Sequence, residues 1–230
     1  MTEPDWRTQG FDLSGRNVVV IGGSKGIGRA IVGGFARSRA NVWFTYRADD
    51  EAATELEQWS AAERAHVRGV RSDASNAAAI DEFARSTAGT IDRLDVPVNN
   101  VGDTVGRSSF AASDDALWTR SIKMNPLSTV RMTRVGDSLH YVVAKAGVVS
   151  FAQRLVRELR RIRIVGVAPS AVDTAFRRRH SSAERLARIV DATPLGRIGK
   201  AEEIAGAVLF LASDLASFVS GETLFMTGGR

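Results

Sequence analysis

The chain has 230 residues, 44% of them hydrophobic, with a formal net charge of +5 and no cysteine. That length fits one domain burying roughly 70–75% of its unfolded surface, and the missing cysteines exclude disulfides and thiolate metal sites. No apolar run approaches the roughly 18–20 residues that cross a bilayer, and Met1 to Gly10 carries Glu3 and Asp5 without an apolar stretch, so a cytoplasmic protein with no secretory signal and no membrane partner is expected.

Asn17 to Ile21 is a short β-branched run of the kind that forms a buried parallel strand. It passes directly into Gly22-Gly23-Ser24-Lys25-Gly26-Ile27-Gly28 and then into a stretch where Ile27, Ile31 and Phe35 recur every four residues beside Val32. That spacing gives one apolar face of a helix. Strand, glycine turn and helix in this order make an anion cradle: the glycines allow a tight turn, and the helix N-terminus offers free N–H groups to a phosphate. Ala40 to Tyr46 reads as a second strand ending at Arg47. Val67 to Arg71 reads as a third, leading to Ser72-Asp73, and Leu94 to Val98 as a fourth, leading to Asn99-Asn100-Val101-Gly102. Strands alternating with helical patterns predict an α/β fold, a doubly wound parallel sheet of Rossmann type in a single domain, with ligands at the strand C-termini.

Pro126 to Arg134 reads as helix and Val135 to His140 as a connector. Tyr141 and Lys145 follow in Tyr-Val-Val-Ala-Lys, a spacing that puts them on one helix face about 5–6 Å apart at Cβ. An ammonium beside a phenol favours the phenolate, and such a phenol can transfer protons. The shift needed from about 10 to neutrality is roughly three units, about 4 kcal/mol; Lys145 alone does not supply it, and a second positive charge such as an oxidised nicotinamide would help. The same spacing also fits an ordinary surface pair. The basic run Arg154 to Arg163 is placed on a helix whose apolar positions Val148, Phe151, Ala152, Leu155 and Leu159 face inward. No base-stacking aromatics accompany it or Arg177-Arg178-Arg179-His180, so no nucleic-acid partner is expected, and the charge is read as steering an anionic cofactor or substrate. His66, His140 and His180 are scattered, and no metal site is expected.

Together these motifs resemble the short-chain dehydrogenase/reductase family over nearly the whole chain, its 3-oxoacyl-reductase-like and glucose-dehydrogenase-like members in particular. The family's Gly-x-x-x-Gly-x-Gly is Gly22, Gly26 and Gly28, and its Asn-Asn-Ala-Gly is Asn99-Asn100-Val101-Gly102, with Val for Ala. The adenine-contacting Asp matches Asp73, the catalytic Asn matches Asn125 in Met-Asn-Pro, and Tyr141 and Lys145 match the catalytic pair. The Pro-Gly turn appears as Pro169-Ser170 with Thr174 downstream, and Arg177 to His180 falls in the family's mobile substrate loop. Pro194 to Arg197, Phe210 to Ser213 and Ser220-Gly221 follow the closing pattern. The resemblance implies hydride transfer between a nicotinamide dinucleotide and a small carbonyl/alcohol substrate, in a homo-oligomer, dimer or tetramer. Tyr141 would be the acid or base, Lys145 would lower its pKa and hold the nicotinamide ribose, and Asn125 would support the relay. The dinucleotide would lie along Gly22, Ser24, Lys25, Gly26, Ile27, Gly28, Tyr46, Arg47, Asp73, Asn99, Val101, Gly102, Lys145, Pro169 and Thr174.

A carboxylate ending the second strand would bind the 2′-hydroxyl of NAD and repel a 2′-phosphate. Tyr46 and Arg47 stand there instead and the glycine turn holds Lys25, so NADP(H) is expected over NAD(H), with Asp49 and Asp50 just beyond weakening the case. One segment departs from the family. Asn125 and Tyr141 are 16 positions apart, where the family usually has more than twice as many, so the fifth strand is expected to be missing or displaced and the catalytic Ser after it absent. Ser138, three residues before Tyr141, is not given that role. Removing such a donor typically costs about 10²–10³ in rate. Pro97 within the fourth strand fits either an edge bordering the gap or a local bulge. Ile21 for Thr, Ser170 for Gly, and Met226-Thr227-Gly228-Gly229 without its usual Asp are smaller departures. Two further readings stand beside the enzyme: a catalytically silent cofactor-binding scaffold or regulator, and a truncated inactive product.

Overall fold

The computed structural model describes residues 11–74, 76–102, 116, 119, 139–159 and 161–229. Four parallel strands carry the first part of the chain: β1 (Asn17–Ile21), β2 (Asn41–Tyr46), β3 (Val67–Arg71) and β4 (Val96–Asn99), in the spatial order β3-β2-β1-β4. Helices α1 (Gly26–Arg37), α2 (Asp50–Ala62) and α3 (Ala77–Ala88) link them in turn. The strand order reverses between β1 and β4, which opens a crevice at their carboxyl ends of the kind that binds ligands in open α/β sheets.

Register explains the core. Val18 pairs with Val42 and Val96, and Val20 with Phe44 and Val98, so the period of two turns Val18, Val20, Val42 and Phe44 to one face. Ile31, Val32 and Phe35 of α1, Ala53 and Leu56 of α2, and Ala205 and Leu209 of α7 (Ala201–Ala212) join them in one buried cluster. Phe35 and Phe44 are fully buried, each worth about 1.5–3 kcal/mol in removed apolar surface. The α1–α7 contact is close because Gly34 lacks a side chain; a Cβ there would lie 2.8 Å from Leu209 Cδ1.

The remaining elements are α4 (Leu139–Glu158), β5 (Gly166–Pro169), β6 (Val172–Asp173), α5 (Ala175–His180), α6 (Ala183–Asp191), β7 (Gly199–Lys200) and β8 (Thr223–Met226), with a 3-10 turn at Asp214–Ala216. β5 pairs with β8, and β6 runs parallel to β7. The chain divides into two compact units. One is Met1–Asn100, Val167–Ser217 and Phe225–Arg230, and holds the four-stranded sheet; the other is Val101–Gly166 and Phe218–Leu224, and holds α4.

Several bounds differ from the sequence reading, each for a local reason. Ala40 precedes β2 because its N–H bonds Phe35 O, closing the turn after α1 in which Arg39 is left-handed. Leu94 and Asp95 precede β4: Leu94 is exposed, and the Asp95 carboxylate accepts from Asn17 N at 2.9 Å, bracing the start of β1. Leu139 and His140, read as connector, already belong to α4. Phe151 and Leu159 do not face inward; both are exposed, and Ala152 is the buried residue. The inward stripe follows Val148, Ala152 and Val156, each four apart, which leaves Phe151 about 100° round the helix from Ala152. The Arg177–His180 run lies in the short helix α5, capped by the Thr174 hydroxyl, which accepts from Arg177 N at 3.2 Å. Among the described residues β4 pairs with β1 alone, with Pro97 opposite Val19. The expected helix Pro126–Arg134 and residues 135–138 of the connector lie outside the described residues.

Candidate functional site

The glycine turn is built against β2 and β4. Thr45, buried at 1% exposure, accepts from Gly22 N through its hydroxyl at 3.1 Å and from Gly23 N through its carbonyl at 2.9 Å. Asn100 closes the other side: its N–H bonds Ile21 O at 3.2 Å and its amide nitrogen donates to Gly22 O at 2.9 Å. Gly22 at φ 81° and Gly26 at φ 54° take left-handed conformations that glycine adopts without strain. Gly28 allows the close approach, since a Cβ there would lie 2.0 Å from Gly22 O and 2.6 Å from Asn100 Nδ2. Gly23 is equally tight, its Cβ position 2.5 Å from Phe44 Cβ.

This framework leaves the start of α1 open. Lys25 takes the N-cap position in extended conformation but supplies no side-chain acceptor, and the first turn has no acidic residue. Elsewhere Asp49, Asn76, Thr174 and Ser182 cap α2, α3, α5 and α6 with side-chain oxygens. The first-turn N–H groups of α1 therefore suit an anion from outside the chain, with the helix dipole favouring negative charge. A dinucleotide pyrophosphate fits this turn: Gly22, Ser24, Lys25, Gly26, Ile27 and Gly28 would hold it by backbone. Ser24 is buried, and Gly26 faces Thr174, whose Cγ2 is 3.4 Å from a Cβ position there.

At the tip of β2, Tyr46 is half-buried and Arg47 exposed. Burial, and then a hydrogen bond to Asp50, push the Tyr46 phenol above its ordinary value. Lys25 is ion-paired with Asp49, whose carboxylate also accepts from Ala52 N at 3.0 Å. The Lys25 ammonium, followed by the Ala52 N–H, holds the Asp49 carboxyl below its ordinary range. The sequence reading of this tip as two cations without a carboxylate is thus corrected, because the loop into α2 folds Asp49 back onto the glycine turn. Asp73 follows Ser72, which is buried and donates its N–H to Tyr46 O at 2.8 Å. Asn99 ends β4 exposed; Val101 is half-buried and Gly102 exposed. Pro169 ends β5.

Tyr141 and Lys145 both lie on α4, so their spacing falls on one helix face. Their side chains and all of Asn125 lie outside the described residues. No group of acidic and histidine side chains suited to a metal occurs among the described residues, nor any helix long and apolar enough to cross a membrane. Sequence reasoning missed Thr45 and the side chain of Asn100. The signal for Thr45 was present: a hydroxyl directly after Val42, Trp43 and Phe44, one residue from the strand's tip.

A model for short chain dehydrogenases matches residues 16–138, and one described as enoyl-(acyl carrier protein) reductase matches residues 132–230. The 3-oxoacyl-[acyl-carrier-protein] reductase FabG of Escherichia coli is 30% identical over 246 residues, covering 95% of this chain and 98% of that protein. A 3beta-hydroxysteroid dehydrogenase of Eggerthella lenta is 30% identical, covering 95% and 94%. A short-chain dehydrogenase/reductase structure from Serratia marcescens superposes with a TM-score of 0.87 at 27% identity, over 95% of this chain and 98% of that one. The FabG alignment runs to 246 positions while using 95% of 230 residues here, so part of the relative faces a gap in this chain. Sheet order, glycine cradle and these matches agree: the chain belongs to the short-chain dehydrogenase/reductase family of oxidoreductases.

Proposed function

We propose that the chain is an NADP(H)-dependent oxidoreductase that interconverts a small-molecule carbonyl and its alcohol within one catalytic domain. The observation that carries this reading is the uncapped N-terminus of α1 behind Gly22–Gly28, beside a β2 tip where Arg47 is exposed and makes no ion pair among the described residues. The names of two relatives, an oxoacyl reductase and a hydroxysteroid dehydrogenase, both describe chemistry at a carbonyl/alcohol carbon. A nicotinamide, when bound, would supply the hydride in reduction and accept it in oxidation. Tyr141 gives the carbonyl oxygen its proton in reduction and takes it back in oxidation. Lys145 lowers the Tyr141 pKa and binds the nicotinamide ribose, and Asn125 supports the relay. A bound dinucleotide would be held by Arg47 and Lys25 at its 2′-phosphate, by Asp73 and Val101 at its adenine half, and by Asn99, Gly102, Pro169 and Thr174 along the rest. The short connection before Tyr141 omits the hydroxyl donor to the substrate oxygen, so turnover is slow, about 10²–10³ below a site that has it. The working form is a dimer or tetramer, and the basic residues of α5 favour an anionic substrate.

Fluorescence titration with NADPH and NADH, then a screen of ketone substrates for NADPH consumption, tests the reading. Tighter binding of NADPH with turnover of at least one ketone is expected. NADPH binding without turnover of any would leave a cofactor-binding protein, and no binding of either dinucleotide would end both readings.

A further inference from the structure

The charge balance at the β2 tip is more constrained than its sequence suggests. Lys25 is bound by Asp49, and Asp49 is fixed by a second task, capping α2 through Ala52 N at 3.0 Å. The neighbouring Asp50 is engaged by Arg71 at 3.8 Å and by Tyr46. Arg29 is engaged by Ala52 O at 2.9 Å and Glu55 at 3.5 Å. Arg47 makes no ion pair among the described residues. A 2′-phosphate arriving here finds Arg47 available, but it reaches Lys25 only by displacing a carboxylate.

From this exchange we infer that Asp49 is a specificity-determining residue, competing with the cofactor 2′-phosphate for the Lys25 ammonium and so limiting discrimination between NADPH and NADH. This rests on the reading above that a nicotinamide dinucleotide lies on the glycine turn with its adenosine ribose at the β2 tip. A phosphomonoester brings about −1.5 to −2 charges at neutral pH. Taking Lys25 leaves the Asp49 carboxylate without its partner and beside that anion, a like-charge juxtaposition that penalises NADPH. The uncharged 2′-hydroxyl of NADH needs no such exchange. A purely structural cap would not need a carboxylate, since Asn and Ser cap about as well as Asp; only the carboxylate pairs its charge with Lys25. Lys25 is 64% exposed and Asp49 28% exposed at the side chain, so the pair is reachable by a ligand and its strength is moderated by solvent.

The test measures Kd for NADPH and NADH by fluorescence titration at one low ionic strength, in wild type, Asp49→Asn, Lys25→Met and the double variant. Asn keeps the cap oxygen, and Asp49→Ser is the second choice if the amide variant folds poorly. Asp49→Asn is expected to raise the preference for NADPH about tenfold, mostly through tighter NADPH binding with NADH altered less than about twofold. In the Lys25→Met background the same change is expected to give less than about threefold, since no ammonium remains to release. An unchanged preference in Asp49→Asn, or equal shifts for both cofactors, overturns the inference. So does an equal gain with and without Lys25, which would mean simple repulsion. Wild type preferring NADH while Asp49→Asn still moves the ratio toward NADPH would leave the inference standing and the NADP reading refuted. Failure of either cofactor to bind any variant refutes both.

Discussion

Gly28 and Thr45 show how few atoms hold the cradle open. With a Cβ position 2.0 Å from Gly22 O, Gly28→Ala forces apart the turn and the helix that follows it. We expect a loss of about 1–3 kcal/mol of stability together with loss of dinucleotide binding, measured by chemical denaturation and by NADPH titration. Thr45 permits a cleaner separation. Thr45→Val keeps the strand's shape but removes the acceptor of Gly22 N, which is expected to weaken NADPH binding and cost about 1–3 kcal/mol for an unsatisfied buried donor. Thr45→Ser restores the acceptor and is expected to recover the affinity. Equal NADPH affinity in Thr45→Val and wild type would show that the hydroxyl does not position the turn.

At the scale of elements, α1 is left uncapped by its own side chains while α7 is held firmly at its start. Glu203 accepts from Lys200 N at 2.7 Å and takes two hydrogen bonds from Arg197, at 2.6 and 2.9 Å. The Arg197 guanidinium, followed by the Lys200 N–H, brings the Glu203 carboxyl from 4.5 down to about 2. A carboxyl depressed in the folded state contributes stability that is fully present above its unfolded pKa and disappears as pH falls through the folded one. Glu203→Gln is therefore expected to be less stable than wild type at neutral pH, with the gap closing between about pH 4.5 and about pH 2; parallel urea titrations across that window check it. The strands β1 and β3 were legible to the residue: β1 is a β-branched run ended by Gly22, and β3 places Val67 and Val70 just before Ser72. The tip of β2 was not. Lys25 and Asp49 are 24 positions apart and meet only through the β1–β2 register and the loop into α2. Phe151 was misplaced because apolar residues at 148, 151, 152 and 155 fit two adjacent stripes, and the pattern alone does not choose between them.

For the whole molecule, the order β3-β2-β1-β4 and the crevice it creates follow from strands alternating with helices, and the matches to known proteins extend this to the family. What the alternation could not supply is the consequence of a short Asn125-to-Tyr141 connection, because the chemistry depends on where Tyr141 is carried and not on its identity. The central claim is that Tyr141 transfers a proton to a carbonyl while NADPH is consumed. Its most direct measurement is the rate of NADPH loss with a ketone substrate in wild type and Tyr141→Phe, alongside NADPH affinity in both. We predict a fall of about 10²–10⁴ in rate on removing the hydroxyl, with affinity changed by less than about threefold. Equal rates in the two proteins would contradict the account.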